Sequence, residues 1–125
     1  MNEFAGLSVL LVEDEYLIAL DAEQILKGLG VAAVEIAATF AGAEKRASEG
    51  RFDIAVLDVN INGQFSFPIA QTFRHRGIPV VFASGYELKN RPMLGHDDAV
   101  CVTKPYTSDR LKDALQAALA RPAKL

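Results

Sequence analysis

Five short runs of apolar residues rich in β-branched types, each followed by a stretch with helical spacing, constrain this chain more than any other feature. The runs are Leu7–Val12, Val31–Ala37, Asp53–Leu57, Pro79–Ala83 and Ala99–Thr103. They have the length of buried strands, and several are apolar on both faces. Between the first two, Ile18, Ala22, Ile25 and Leu29 fall on one helical face, and Gly28 and Gly30 bracket its end. A second helix is expected to open at Thr39 and close before Gly50, with Phe40, Ala43 and Ala47 inward. A third carries Pro68 in its first turn, with Ile69 and Phe73 one turn apart. The last opens at Thr107-Ser108-Asp109, runs through Leu111, Leu115, Ala118 and Leu119, and is expected to stop at Pro122. The segment Glu87–Asp98, broken by Pro92 and weakened by Gly95, reads as a short or irregular helix. Strands alternating with helices mean βαβ units, hence a parallel sheet covered on both sides in an α/β domain.

Composition narrows the class. With 125 residues the chain has room for one domain that buries roughly two thirds of its unfolded surface. No repeat, linker or low-complexity tract divides it, so 1–125 is read as a single domain. Half the residues are apolar and 23% are charged, the balance of a globular protein rather than a disordered one. A formal charge of −3 offers no broad basic face for nucleic acid. One cysteine excludes an internal disulfide framework and a multi-cysteine zinc site. No apolar run approaches membrane-spanning length and no leader pattern opens the chain, so no membrane partner and a cytoplasmic location are expected.

Ligands of open α/β sheets gather at the carboxyl ends of the strands. There the first strand is followed by Glu13, Asp14 and Glu15, the third by Asp58, the fourth by Ser84 and the fifth by Lys104-Pro105. Each has an ordinary structural explanation when taken singly. Acids after a strand cap the next helix, an Asp opens a turn, Ser-Gly begins a loop, and Lys-Pro enters a helix. Together they describe a pocket. Clustered carboxylates repel and call for a cation, and oxygen ligands without His or Cys favour Mg²⁺ over zinc. A lysine and a hydroxyl then suit the remaining oxygens of a phosphoryl group, and an Asp beside the ion is a candidate nucleophile. Asp58, central among the strands, is the best placed.

Val12-Glu13-Asp14, Leu57-Asp58, Ser84 and Lys104-Pro105, in this order and spacing, resemble the receiver domain of bacterial two-component response regulators over essentially the whole chain. Phe82-Ala83-Ser84-Gly85-Tyr86, with Leu57-Asp58-Val59-Asn60 upstream, further resembles the receiver subfamily named for a Phe-Ala-Thr-Gly-Tyr (FAT GUY) motif. The resemblance implies a doubly wound, flavodoxin-like fold with strand order 2-1-3-4-5. It also implies a switch rather than an enzyme acting on other molecules: Asp58 accepts a phosphoryl group with Mg²⁺ present. By the same resemblance, Asp14 binds the ion directly, Glu13 acts mainly through a metal-bound water, and Asn60 offers its backbone carbonyl. Ser84, with Gly85, and Lys104 hold the phosphoryl group, and the Lys104-Pro105 bond is often cis. The implied partners are a histidine kinase, of the HWE or a related class, or a phosphotransfer protein. A downstream protein and a candidate homodimer would use the face of the fourth helix, last strand and last helix.

The departures are informative. The aromatic switch residue usual three positions before the lysine is replaced by Cys101, read as a buried small hydrophobe in its strand. Asn62 replaces the usual proline four residues after Asp58, so the loop Ile61–Phe65, with Gly63, is expected to be less restricted. Tyr86 stands where such domains tune loss of the phosphoryl group, and its ring is expected to obstruct the attacking water. His75 and His96 are read as surface residues, Arg74-His75-Arg76 as a solvated helix end, and Phe65 and Phe67 as flanking the third helix. A rival function is a Mg²⁺-dependent phosphohydrolase, although Asn60 stands where its second Asp would be needed. Another is a degenerate receiver that only binds partners.

Overall fold

A computed structural model describes residues 3–85 and 100–120. Its elements are β1 (Ser8–Val12), α1 (Tyr16–Gly28), β2 (Ala33–Ala37), α2 (Phe40–Glu49), β3 (Ile54–Asp58), β4 (Asn60–Ile61), β5 (Gln64–Phe65), α3 (Phe67–His75), β6 (Val80–Ser84), β7 (Val100–Thr103) and α4 (Ser108–Ala120). Five strands form one parallel sheet in the order β2-β1-β3-β6-β7. This is the doubly wound arrangement, with 2-1-3-4-5 order when the sheet strands alone are counted. The expected fourth helix, Glu87–Asp98, lies outside the described residues, as do Tyr86, His96 and Pro122.

The pleat divides the core in two. Val9, Leu11, Ile54, Val56, Val81, Ala83 and Val102 face α1 and α4, where Ala19, Ala22, Leu26, Leu111 and Leu115 cover them. Their neighbours Leu10, Val12, Ala55, Leu57, Val80 and Phe82 face α2 and α3, against Ala43, Ala47, Ile69, Ala70 and Phe73. Alternate residues point to opposite faces, so a strand apolar throughout belongs between two helical layers. β3 is buried along its whole length, whereas edge strand β2 exposes Ala33 and Glu35.

Local chemistry sets the element boundaries. Thr39 caps α2 by accepting the Gly42 N–H at 3.0 Å, and a side chain on Gly42 would begin 2.9 Å from that hydroxyl oxygen. Pro68 sits in the first turn of α3, where its missing N–H costs no helical bond. α1 buries Ala19, Ala22 and Leu26, with Ile18, Ile25 and Leu29 at the margins of that face, so the buried stripe is rotated from the expected one.

Three expectations need correction. The loop 61–65 is not loose. Asn62 and Gly63 have φ of 51° and 88°, and this Asn-Gly pair turns β4 back onto β5 with Asn60 opposite Phe65 and Ile61 opposite Gln64. Positive φ at both central residues matches the twist of a tight hairpin, which is why Asn-Gly favours one. Cys101 is exposed rather than buried: on β7 at the sheet's edge it points away from Val102, which faces the core. Arg76 is engaged rather than merely solvated, donating from Nη1 to the Ala47 carbonyl near the end of α2 at 2.6 Å.

Leu11 is fully buried and Leu17 is 77% exposed. Leu11→Ala is expected to lower unfolding stability by about 2–5 kcal/mol, while Leu17→Ala changes it by no more than about 0.5 kcal/mol. Urea unfolding of both variants checks the assignment of the core.

Candidate functional site

Parallel strands all end on the same edge of their sheet, and that geometry assembles the site. β1 and β3 are adjacent, with Val12 beside Leu57. β6 lies next, with Ala83 beside Asp58, and β7 follows, with Thr103 beside Ser84. Asp58 and Ser84 prove to be the last residues of their strands rather than the first beyond them, so the sheet's own hydrogen bonds hold both backbones. Glu13 follows β1 directly, its N–H bonded to the Ala37 carbonyl.

One oxygen from each of Glu13, Asp14 and Asp58 lies within 4.8 Å of the others. Glu13 and Asp58 are buried, and Asp14 is half-buried. Lys104 spans two of them, donating from Nζ to Glu13 Oε1 at 3.1 Å and to Asp58 Oδ2 at 2.9 Å. The remaining oxygens are mostly engaged by backbone. Glu13 Oε2 accepts from the Glu15 N–H at 3.2 Å, and Asp14 Oδ2 accepts from the Asn62 N–H at 2.8 Å. Asp58 Oδ1 takes a long contact from the Asn60 N–H at 3.4 Å. The cap residue of α1 is Glu15, whose own side chain makes no capping bond, so capping by the cap residue does not account for the cluster.

The hairpin completes the wall. Asn60 Oδ1 accepts from the Gly63 N–H at 2.9 Å, fixing the turn whose Asn62 N–H reaches Asp14. Ser84 and Gly85 are half-buried at the end of β6, and the Ser84 carbonyl accepts from the Lys104 N–H at 2.9 Å. The Lys104–Pro105 peptide is cis. Of the site residues expected from the sequence, Tyr86 alone falls outside the described structure.

Proton affinities follow from this crowding. Burial, reinforced by the negative charge of Asp58, pushes Glu13 up to about 7 against the pull of Lys104. Burial acts to lower the lysine, but its hydrogen bond to Asp58 and the charges of Asp58 and Glu13 outweigh that and raise it, so the ammonium persists. Among the described residues, one cation faces three carboxylates. Two unit charges 4.8 Å apart repel by about 3 kcal/mol at an effective dielectric near 20. An all-oxygen set short of positive charge, with no His or Cys in the cluster, fits a hard divalent cation such as Mg²⁺.

Sequence reasoning missed Tyr106. Two residues beyond Lys104, it is 5% exposed, and its hydroxyl has no hydrogen-bond partner among the described residues. Burial, then the charges of Glu13 and Asp58, raise its pKa well beyond the ordinary phenol value. An aromatic residue just after Lys-Pro and just before a helix cap was the available signal, and it reads as simple packing.

A family model described as the response regulator receiver domain matches residues 9–116. Among solved structures, SdrG from Sphingomonas melonis Fr1 is 36% identical, with 92% of this chain and 98% of that one covered at a TM-score of 0.77. The BeF3-activated conformation of SdrG from Pseudomonas melonis Fr1 gives 38% identity, 93% and 98% coverage, and a TM-score of 0.78. The anti-anti-sigma factor PhyR from Bartonella quintana is 26% identical, covering 94% of this chain and 49% of that one at a TM-score of 0.77. No curated protein matches by sequence. No helix among the described residues is long and apolar enough to cross a membrane.

Asp14 contributes charge to the cluster without a contact to Lys104, and asparagine at this position can still accept from Asn62. In chelator-treated buffer, Asp14→Asn is therefore expected to raise urea stability by about 1 kcal/mol through relief of repulsion. Added Mg²⁺ is expected to stabilise the wild type and to leave this variant nearly unchanged.

Proposed function

From the premise that the chain belongs to the response regulator receiver family, we propose that it is a phosphorylation-controlled switch in which Asp58 takes a phosphoryl group from a histidine of a kinase or phosphotransfer protein. The observation that carries this reading is the joint contact of Lys104 with Glu13 and Asp58, beside Asp14, at the carboxyl edge of the sheet.

The chemistry follows from the arrangement. A carboxylate oxygen of Asp58 attacks phosphorus as the bond from phosphorus to the histidine nitrogen breaks, and the imidazole leaves with that electron pair. Asp58 is central in the sheet and held at a strand end, so its oxygen meets an incoming group with little reorganisation. Lys104 and the Ser84 hydroxyl, with Gly85 beside Ser84, are suited to bond the phosphoryl oxygens. Asp14, Asp58 and the Asn60 backbone carbonyl would hold Mg²⁺, with Glu13 acting through a bound water. When bound, the ion supplies neutralisation of the charge shared between the acids and the phosphoryl oxygens. Because the Asn60 side chain is committed to the Gly63 N–H, its carbonyl is the group it has to offer.

Residues 1–125 are read as one receiver, with Phe82–Tyr86 supporting the FAT GUY subfamily and a kinase of the HWE or a related class as donor. Tyr86 would slow loss of the phosphoryl group by shielding it from water. The output is a change in the partner-binding surface, read by a downstream protein or a second copy of the chain. A cytoplasmic location accords with a kinase partner of this kind.

Incubation with Mg²⁺ and acetyl phosphate is expected to add one phosphoryl group to the wild type, seen by intact mass, and none to Asp58→Asn. Lys104→Ala is expected to slow labelling roughly 100-fold. Sustained release of phosphate from simple esters, without a labelled protein, would instead mark a phosphohydrolase.

A further inference from the structure

Among the described residues, two buried side-chain polar atoms lack a hydrogen-bond partner: Ser66 Oγ and Tyr106 Oη. Ser66 opens α3, on the face of the sheet remote from α4. Tyr106 packs in the opposite cluster, with Leu11, Ala19, Ala83 and Val102, and lies two residues from Lys104. A phenylalanine would fill the same apolar space without stranding a hydroxyl, so packing alone does not call for tyrosine.

Burial, and after it the negative charges of Glu13 and Asp58, raise the phenol's pKa and keep it protonated. It is thus a donor held in an anionic field. In this structure the acids do not need it, because Lys104 serves Glu13 Oε1 as well as Asp58 Oδ2, and the Glu15 N–H serves Glu13 Oε2. A tetrahedral anion on Asp58 alters that division by competing for the ammonium. As Lys104 turns toward it, the fully buried Glu13 loses the partner on Oε1 and needs another donor.

We propose that Tyr106 is a positioning residue for the pocket: its buried hydroxyl takes over Glu13 when a tetrahedral anion on Asp58 draws Lys104 away. The unpaired donor in the resting state becomes a paired one in the loaded state, so the bond favours loading by being formed only there. This inference rests on Asp58 as the phosphoacceptor.

The test is Tyr106→Phe, read with Mg²⁺ and beryllofluoride as the phosphoryl mimic. Without ligand, the thermal midpoint is expected to be unchanged or higher, because no hydrogen bond is lost. A lower midpoint would show that the hydroxyl is already bonded and would overturn the proposal. Apparent beryllofluoride affinity, followed by ¹⁹F NMR, is expected to fall about tenfold. Affinity equal to wild type would also overturn it. In a Glu13→Ala background, which leaves the hydroxyl no acceptor there, the same change is expected to have no further effect, and full additivity of the two losses would mean that Tyr106 acts elsewhere. Absence of bound beryllofluoride in the wild type would instead remove the phosphoacceptor reading itself.

Discussion

A single ammonium group holds the working end of this molecule together. Lys104 lies 91 residues from Glu13 and 46 from Asp58 along the chain, yet bonds both. Two buried carboxylates on neighbouring strands need a counter-charge, and Lys104, directly after the last strand of the sheet, reaches inward past β6 to supply it. That requirement favours parallel topology. If strand directions alternated, half of these residues would lie at the opposite edge, about a strand length away.

The pocket remains short of positive charge even so. Glu13 is raised to about 7 by burial and by Asp58, the mark of an acid held where its ionised form is costly. Among the described residues, Asp14 finds only the Asn62 N–H, which the hairpin delivers. The turn is thus part of the site: positive φ at Asn62 and Gly63 directs a backbone donor at a carboxylate from the far side of Asp58. Such an arrangement gives up some stability to keep a cluster ready for a cation and an anion together, as functional sites commonly do.

What the letters disclosed and what they concealed differ for physical reasons. Strand positions were legible because buried parallel strands are continuous apolar runs, and the pocket was legible because parallel strands share an edge. The order of those strands came from family resemblance and not from the runs themselves. The hairpin was overlooked although Asn62-Gly63 is a strong turn signal, because its two-residue strands are too short to show periodicity. Cys101 was misplaced because apolar character does not reveal whether a residue on an edge strand faces the core. Arg76 and Tyr106 take their significance from distant segments, Ala47 in one case and the β1 and β3 ends in the other, and no local pattern carries that information.

Position 101, on the last strand of the sheet, carries cysteine rather than an aromatic residue. No ring on β7 is available there to follow Ser84, and Cys101 lies on the surface. The pocket is instead tied to its surroundings by main-chain links: the Lys104 N–H to the Ser84 carbonyl, the Val59 N–H to Ala83, and the Ser66 N–H to Val59. The last pair leads from the end of β3 to the start of α3. From β6, Phe82 meets Phe67 edge-on at 5.6 Å, and Phe67 stacks on half-exposed Phe65 at 5.7 Å. Close-packed side chains pass displacement on rather than absorb it. The aromatic contacts thus run without a break from the end of β6 to the surface on the hairpin side.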